Sequence, residues 1–309
     1  MEAAAASRAR AQAGRLPRAP GVYRFRDGAG RVLYVGRAVS LRRRVQSYWG
    51  DLRDRRHLAG MVARIEHVEA VACDSAHEAA WLERNLLRRS LPPWNRSPSG
   101  GQEAEVWIRL SDTPRAPGLS AVYRRRPGDE ARYFGPYLGG QKVRDAISGL
   151  SRVLPLAHTS DARAGAARDL ARARDASPAD RTRLARSVAT VLDRDPAAAG
   201  LVRAELASRR DAAAARLSFE FAAKLQAEIE ALDWVTTEQK VTRQERTDFD
   251  ACGWADGMLV RFEIRAGRLS GWSQQACAEE AASPHCGQTP PEWAAFAVRN
   301  ALLAALLAR

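Results

Sequence analysis

Two tyrosines, an arginine and a glutamate in the first hundred residues stand where their side chains could do chemistry. Tyr23 and Tyr34 lie in segments with period-two alternation, and Arg44 and Glu83 fall on the apolar faces of two predicted helices. A charged side chain on an apolar face is costly unless it serves a partner. For Arg44 that partner is an anion, and for Glu83 it is a metal, an arginine or a proton. Such a set suits metal-assisted cleavage of a phosphodiester.

The two tyrosines require a β-hairpin to bring them together. Residues 21–26 and 31–35 both alternate in polarity, and the sequence Asp-Gly-Ala-Gly at 27–30 is typical of a turn. A loop at these four positions predicts that Tyr23 lies directly opposite Tyr34 on one face of the sheet. Paired tyrosines are also common where nothing but packing is involved.

A third strand and two helices complete the predicted unit. The strand is expected at residues 68–72, and the helices extend from Ser40 to about Trp49 and from about Ser75 to Arg89. On the second helix Glu83 could instead form a surface ion pair with one of the neighbouring arginines. A surface pair contributes only about 0–1 kcal/mol, which would not explain a carboxylate on the apolar side.

Charge and composition narrow the class of protein. The chain has 309 residues and a net charge of +13, and residues 1–100 contain 19 arginines against 9 acidic residues, a net charge of +10. A basic half favours a polyanionic partner, with nucleic acid ahead of a membrane surface. Coding bias toward arginine is the alternative. Because no apolar run approaches the ~20 residues that span a bilayer, and four cysteines form no disulfide framework, we expect a cytoplasmic protein with no membrane partner.

The motifs around these residues resemble a known nuclease family. Gly21-Val-Tyr23 followed by Tyr34-Val-Gly36 is similar to the GIY-YIG signature. The continuation to Tyr48, and the segment from Glu83 to Asn95, resemble the branch found in the UvrC excinuclease family. The resemblance extends beyond this region, since residues 133–137 (YFGPY) and residues 217–232 are similar to later UvrC segments. The second of these resembles the UVR motif, a helical hairpin that docks UvrB, although an ordinary helix pair would have a similar pattern.

Several positions depart from the family pattern. Arg37 stands where lysine is frequent, Trp94 where tyrosine is usual, and Val22 where the signature has isoleucine. Residues 157–202 contain no cysteine, although UvrC has a cysteine cluster there, so no iron–sulfur cluster is expected. The RNase H-like and helix-hairpin-helix modules of UvrC are not expected in this chain.

The resemblance implies an α+β fold. A small GIY-YIG domain, with a three-stranded sheet flanked by helices, is followed by a mostly helical region with a UVR-like hairpin and a small C-terminal α/β segment. The expected boundaries are a disordered tail at 1–14, the nuclease domain at 15–98, a linker and FGPY segment at 99–160, a helical connector at 161–200, the hairpin at 201–236 and the C-terminal segment at 237–309.

The resemblance also implies roles for individual residues. The activity would be a DNA endonuclease with one Mg²⁺ or Mn²⁺, an incision step in nucleotide excision repair, in which Glu83 holds the metal. Tyr34 or else Tyr23 would accept a proton from water. The other catalytic residues would be Arg37, Arg44, Tyr48 and Asn95, and the DNA-binding residues Arg42, Arg43, Arg53, Arg55 and Arg56. Docking of UvrB would use Leu217, Phe219, Glu220, Ala222, Ala223, Ile229 and Leu232.

Two other functions remain open at the level of the sequence. The first is a non-catalytic adaptor that docks DNA or UvrB and retains the nuclease fold, although an adaptor does not need Glu83 on an apolar face. The second is a metal-binding regulator that uses Cys277, His285 and Cys286, with Cys252 as a further ligand. The spacing of these residues matches no tight zinc pattern.

Overall fold

A computed structural model describes residues 2–50, 57–98, 104–162, 164–174 and 176–309. The helices are α1 (Glu2–Arg15), α2 (Leu41–Gln46), α3 (Ala59–Val62), α4 (Ala76–Arg89), α5 (Gly140–Val153), α6 (Ala166–Ala173), α7 (Arg181–Leu192), α8 (Pro196–Ala215), α9 (Phe219–Thr236), α10 (Glu279–Cys286) and α11 (Pro291–Ala308). The strands are β1 (Gly21–Arg26), β2 (Val32–Ala38), β3 (His67–Ala72), β4 (Glu105–Ser111), β5 (Gly118–Val122), β6 (Arg132–Leu138), β7 (Phe249–Ala255), β8 (Met258–Arg265) and β9 (Arg268–Ala276). The predicted α+β class is confirmed. Within the described ranges no helix is long and apolar enough to cross a membrane.

The chain folds into two compact units. One unit, which we call the split unit, joins Met1–Gln102 to Gln239–Arg309, and the other, the central unit, consists of Glu103–Glu238. Nothing in the sequence pattern indicated that the two ends of the chain pack together.

The first sheet of the split unit has the order β2-β1-β3, and both of its pairs are antiparallel. Residues 21–25 of the central strand β1 are all buried, as expected where a strand is covered on both faces. The predicted third strand is confirmed as β3. The two predicted helices are also confirmed, with α2 continued by a 3-10 turn at Ser47–Trp49. Ser75 caps α4 by accepting a hydrogen bond from the backbone N–H of Glu78, at 3.0 Å.

The hairpin register differs from the prediction. Tyr23 pairs with Gly36, and Tyr34 pairs with Phe25, because the register shifts between Phe25 and Arg26. The turn that causes this shift contains Gly30 at φ +76°, a left-handed conformation that glycine adopts without strain. Since the pairing is displaced by two residues from the prediction, both tyrosines still lie on the same face of the sheet.

The N-terminal tail expected to be disordered forms α1 instead. Ala9 and Ala13 of α1 are fully buried, and so is the following Leu16. The side-chain amide of Gln12 is also buried, where it accepts from the N–H of Val68 and donates to the carbonyl of Leu307. An alanine-rich segment has high helix propensity, and only its packing in the fold reveals that it is ordered.

The C-terminal α/β segment packs directly on the first sheet. Its own sheet has the order β7-β8-β9, and α11 packs against β7, β8 and β3. Trp293 and Phe296 of α11 are almost completely buried, and burial of each such side chain stabilises the fold by about 1.5–3 kcal/mol. Asn300 is fully buried beside the end of β3, where its side chain accepts from the N–H of Ala72 at 2.8 Å and donates to its carbonyl at 3.2 Å.

The central unit consists of a sheet of order β5-β4-β6 and a group of helices that share its core. Residues of α5, α7, α8 and α9 join the inward side chains of β4 in this core. Residues 134–137 lie within β6. The helical connector expected at 161–200 is packed into the fold, since α7 buries Leu184, Val188 and Val191.

We expect the substitution Asn300→Leu to lower the free energy of unfolding by about 1–3 kcal/mol. It leaves the buried N–H of Ala72 without its side-chain partner, and such a loss costs about 1–3 kcal/mol. The carbonyl of Ala72 keeps the hydrogen bond from the Nη2 of Arg299 at 3.3 Å. Urea denaturation followed by circular dichroism measures the change. The control is Val298→Thr on the exposed side of α11, which should remain within about 0.5 kcal/mol of the wild type. An unchanged stability of the Asn300 variant would contradict the packing of α11 on β3.

Candidate active site

Three tyrosines form the centre of the candidate site. The ring centroids of Tyr23, Tyr34 and Tyr48 are 5.9–6.3 Å apart in all three pairs. Tyr23 is fully buried, and its hydroxyl is 2.7 Å from the hydroxyl of Tyr48. Tyr34 is only partly buried, so its hydroxyl is the more accessible of the two that the sequence left as alternatives.

Gly36 provides the space that the tyrosines occupy. A Cβ atom at this position would lie 2.5 Å from the hydroxyl oxygen of Tyr23 and 2.7 Å from the ring of Tyr34. Any side chain at residue 36 would therefore displace the ring of Tyr23. The glycine of the Tyr34-Val-Gly36 motif is thus required because the side chains of Tyr23 and Tyr34 approach it closely.

Burial keeps the tyrosine hydroxyls protonated. Burial raises the pKa of Tyr23 well above its usual value, and the neighbouring Tyr48 and Tyr34 raise it further. The pKa of Tyr34 is raised by burial, then by Tyr48, and also by the carboxylate of Glu83. Arg44 acts in the opposite direction on both phenols because a cation favours the phenolate.

Arg44 lies on α2 beside the tyrosines. Its guanidinium carbon is 5.5 Å from the ring centroid of Tyr48, and the side chain is half-buried. Partial burial lowers the pKa of Arg44, but Tyr23 and Tyr48 outweigh this effect, so the pKa is raised. The residue therefore remains a cation at all physiological pH values.

Glu83 is buried on α4 and is held by Arg37 of β2. One carboxylate oxygen accepts a hydrogen bond from the backbone N–H of Arg37 at 3.2 Å, and the other lies 3.1 Å from its Nε. The Glu83 side chain is 8% exposed, whereas that of Arg37 is 45% exposed. Arg37 was expected among the catalytic residues, but its ion pair with Glu83 was not predicted, because the pair joins residues 46 positions apart on a strand and a helix.

Asn95 fixes the strand that carries Tyr34. Its side-chain oxygen accepts from the N–H of Val35 at 2.9 Å, and its nitrogen donates to the carbonyl of Val35 at 2.8 Å. The backbone N–H of Trp94 also donates to the carbonyl of Leu33. These bonds cover the free edge of β2, which would otherwise have unpaired backbone groups.

Residues of the C-terminal segment hold α4 from the other side. The side-chain nitrogen of Asn85 lies 3.2 Å from both the hydroxyl of Thr242 and the carbonyl of Leu269. Glu78 is fully buried, and its carboxylate accepts from the N–H of Lys240 at 2.7 Å. The helix that carries Glu83 is therefore fixed on one side by β2 and on the other by residues 240–269.

The predicted DNA-binding arginines have different surroundings. The Nε of Arg42 donates to the carbonyl of Leu16 at 2.6 Å, because the segment after α1 passes beside α2. Arg43 is exposed. Arg53, Arg55 and Arg56 lie outside the described residues.

One further aromatic residue, Phe25, belongs to the site and was not predicted. Phe25 has its ring centroid 4.9 Å from that of Tyr48 and 6.3 Å from that of Tyr34. The period-two spacing from Tyr23 places Phe25 on the same face, so the strand pattern alone was sufficient to find it.

The residues proposed for docking UvrB divide into two groups. Ile229 and Leu232 are buried in the core of the central unit, so the prediction that they contact a partner is wrong; they lie on the inward face of α9. Leu217 and Phe219 are 74% and 65% exposed. Glu220 and Ala223 are also exposed, and Ala222 is partly buried.

We expect the folded-state pKa of Tyr34 to lie above the ordinary phenol value of about 10. Because the folded state favours the neutral phenol, this stabilisation is present below the ordinary pKa and is lost as the pH rises above it. The measurement is a pH titration of the absorbance at 295 nm in EDTA, for the wild type and for Tyr34→Phe. The difference between the two curves reports the ionisation of Tyr34. In concentrated urea, this difference should have its midpoint near the ordinary phenol pKa. A folded-state midpoint at or below that value would contradict the buried environment.

Comparisons with known proteins agree with this geometry. Residues 19–96 match the family model of the UvrC-like GIY-YIG domain. UvrABC system protein C of Symbiobacterium thermophilum is 31% identical over 84% of this chain and 43% of its own length, and that of Desulforudis audaxviator is 33% identical over 83% and 43%. The protein of the same name from Geobacter metallireducens is 38% identical over 46% of this chain and 23% of its own length. In each of these comparisons, the alignment spans less than half the length of the relative.

The matched range contains all the residues of the site. Its bounds enclose the tyrosine cluster, Arg44, the pair of Arg37 and Glu83, and the edge bond of Asn95. Residues 19–96 therefore form a UvrC-like GIY-YIG domain, in a chain that is similar over more than four fifths of its length to UvrABC system protein C.

Proposed function

We propose that the chain is a GIY-YIG endonuclease that hydrolyses a DNA phosphodiester with one divalent cation, as an incision step in nucleotide excision repair. The observation that carries the proposal is the buried carboxylate of Glu83, close enough to the tyrosine cluster to raise the pKa of Tyr34. Desolvation of one ion costs several kcal/mol, and fully buried Glu78 shows that backbone hydrogen bonds can compensate such a carboxylate in a structural role. The position of Glu83 beside the tyrosine cluster, and not its burial alone, therefore favours a nuclease over a structural adaptor.

The donor set fits a cation that binds mainly water and substrate. Among the described residues no group of three or more histidine, cysteine, aspartate or glutamate side chains could hold a metal ion. Mg²⁺ is commonly bound through one or two carboxylates together with waters and substrate phosphates, and Glu83 supplies one such carboxylate. Within the described ranges the residues therefore provide no all-protein cage, and the carboxylate of Glu83 is compatible with either Mg²⁺ or Mn²⁺.

The other residues act on the phosphate and on the water. A divalent cation, when bound, would polarise the phosphodiester and stabilise the leaving oxygen. Arg44, which lies beside the ring of Tyr48, would neutralise charge that develops on the phosphoryl oxygens. The partly exposed hydroxyl of Tyr34 is the proposed proton acceptor, while the buried hydroxyl of Tyr23 orients it through Tyr48. Because the pKa of Tyr34 is raised, it depends on Arg44 to favour the phenolate.

Arg37 has a second part in this scheme. Its guanidinium neutralises Glu83 while the cation is absent, and its 45% exposure leaves the guanidinium accessible to solvent. If Glu83 held a cation, this guanidinium would be available to contact a DNA phosphate. Arg43, which is exposed on α2, would add positive charge for contact with DNA phosphates.

We expect Glu83→Gln and Arg44→Ala each to slow the nicking of supercoiled plasmid by about 10²–10³-fold in Mg²⁺ or Mn²⁺. The amide keeps the size of the glutamate and removes the charge that holds the cation. Glu280→Gln is the matched control, since Glu280 is exposed on α10, and its rate should equal that of the wild type. Equal nicking by the Glu83 variant and the control would refute the catalytic assignment and favour the adaptor.

We further propose that the turn between α8 and α9 docks UvrB. Leu217 and Phe219 are apolar and strongly exposed at the adjoining ends of the two helices, and Phe221 is 43% exposed two residues further along α9. A cluster of exposed large apolar side chains is typical of a protein interface.

The double variant Leu217→Ser and Phe219→Ser should weaken binding to purified UvrB at least about tenfold, because apolar anchors carry most of the energy of such an interface. Leu201→Ser is the matched control, since Leu201 is equally apolar and 75% exposed on α8. Biolayer interferometry measures both affinities. Docking at this turn would be refuted by a double variant that binds as tightly as the wild type.

A further inference from the structure

We propose that the loop joining β5 to β6 in the central unit, together with Trp107 of β4, binds an unpaired nucleic-acid strand. We call residues 123–131 the arginine loop. The proposal does not rest on the chemistry of the split unit, because it concerns a surface of the central unit whose residues take no part in the candidate active site.

The arginine loop contains three adjacent positive charges that are not paired with carboxylates. Arg124, Arg125 and Arg126 are consecutive and exposed, and within the described part of the chain none of them forms an ion pair with a carboxylate. Other arginines of the same unit do pair, such as Arg132 with Asp193. Three adjacent unpaired cations repel one another, and a polyanion relieves this repulsion.

The carboxylate of Asp129 cannot neutralise these arginines because it is already fully engaged. It accepts from Nε and Nη2 of Arg109 at 2.6 and 2.9 Å, and from the hydroxyl of Tyr133 at 2.5 Å. The bonds from Arg109 and Tyr133 hold the pKa of Asp129 well below its usual range. The other carboxylate of the loop, Glu130, lines a groove with Arg132 and Arg186 of α7.

The same bonds hold the arginine loop in one conformation. The backbone N–H of Ala131 also donates to Asp129, at 3.2 Å, and the N–H of Arg126 donates to the hydroxyl of Tyr133 at 3.2 Å. A loop fixed before binding loses little conformational entropy when a ligand arrives. The backbone at Arg126 and Ala131 is therefore held before a ligand arrives.

Two aromatic side chains lie beside the arginines of the loop. The guanidinium carbon of Arg125 lies 5.0 Å from the ring centroid of Trp107, which is on the outward face of β4. Tyr123, the first residue of the loop, is 58% exposed. Solvent-facing aromatic rings beside arginines are the combination with which proteins stack bases and contact phosphates of single strands. The bases of a duplex are already stacked, so an unpaired strand fits this surface better.

The first experiment compares two triple variants of the full chain in EDTA, where DNA is not cleaved. Fluorescence anisotropy of a labelled single strand of about 20 nucleotides measures the affinity at several salt concentrations. The variant R124Q/R125Q/R126Q should bind at least about tenfold more weakly, and the slope of log affinity against log salt should fall by about 2, or roughly 0.7 for each lost phosphate contact. The matched control R144Q/R174Q/R216Q removes three exposed arginines elsewhere in the central unit and should bind within about twofold of the wild type.

The second experiment tests stacking on the folded wild-type protein. Photocrosslinking to a single strand that contains 5-iodouracil should label the peptide with Tyr123 or that with Trp107. Tyr123→Ala should bind this strand about tenfold more weakly, and Tyr123→Phe should bind it as the wild type does. The proposal would be overturned if both triple variants bound equally, if only duplex binding fell, or if crosslinks were confined to peptides of the split unit.

Discussion

The candidate active site depends on one buried carboxylate. Desolvation of an ion costs several kcal/mol, so Glu83 must be compensated wherever the chain places it. Arg37 compensates it twice, through its backbone N–H and through its side chain. This pair joins the strand that carries Tyr34 to the helix α4, and it sets the distance between the carboxylate and the tyrosine cluster.

Both ends of the chain are needed to hold that carboxylate in place. Asn95 covers the edge of β2, while Asn85 and Glu78 fasten α4 to residues 240–269. Asn300 then attaches α11 to the end of β3. These contacts are buried or partly buried polar bonds, and loss of either partner costs energy. The C-terminal segment is therefore a structural support of the nuclease-like domain.

Individual strands and helices could be predicted from the sequence because each has a periodic pattern of apolar residues and is bounded by turn or capping residues. The alternation around Tyr23 and the cap at Ser75 were sufficient to place β1 and α4. Non-local features could not be predicted in this way. The ion pair of Arg37 with Glu83, and the helix of residues 2–15, depend on neighbours that lie far away in the chain. The predicted hairpin register was wrong for a different reason. The register shifts between Phe25 and Arg26, and the alternation of polarity does not reveal such a bulge.

The central claim is that Glu83 exchanges Arg37 for a divalent cation. Anomalous X-ray diffraction from crystals soaked in Mn²⁺ tests it most directly. The account predicts a Mn²⁺ ion bonded to the Glu83 carboxylate, with the Arg37 Nε moved away from its present distance of 3.1 Å. It also predicts no such ion in Glu83→Gln crystals. A Mn²⁺ ion bound elsewhere in the domain, with the ion pair of Glu83 and Arg37 intact, would contradict it.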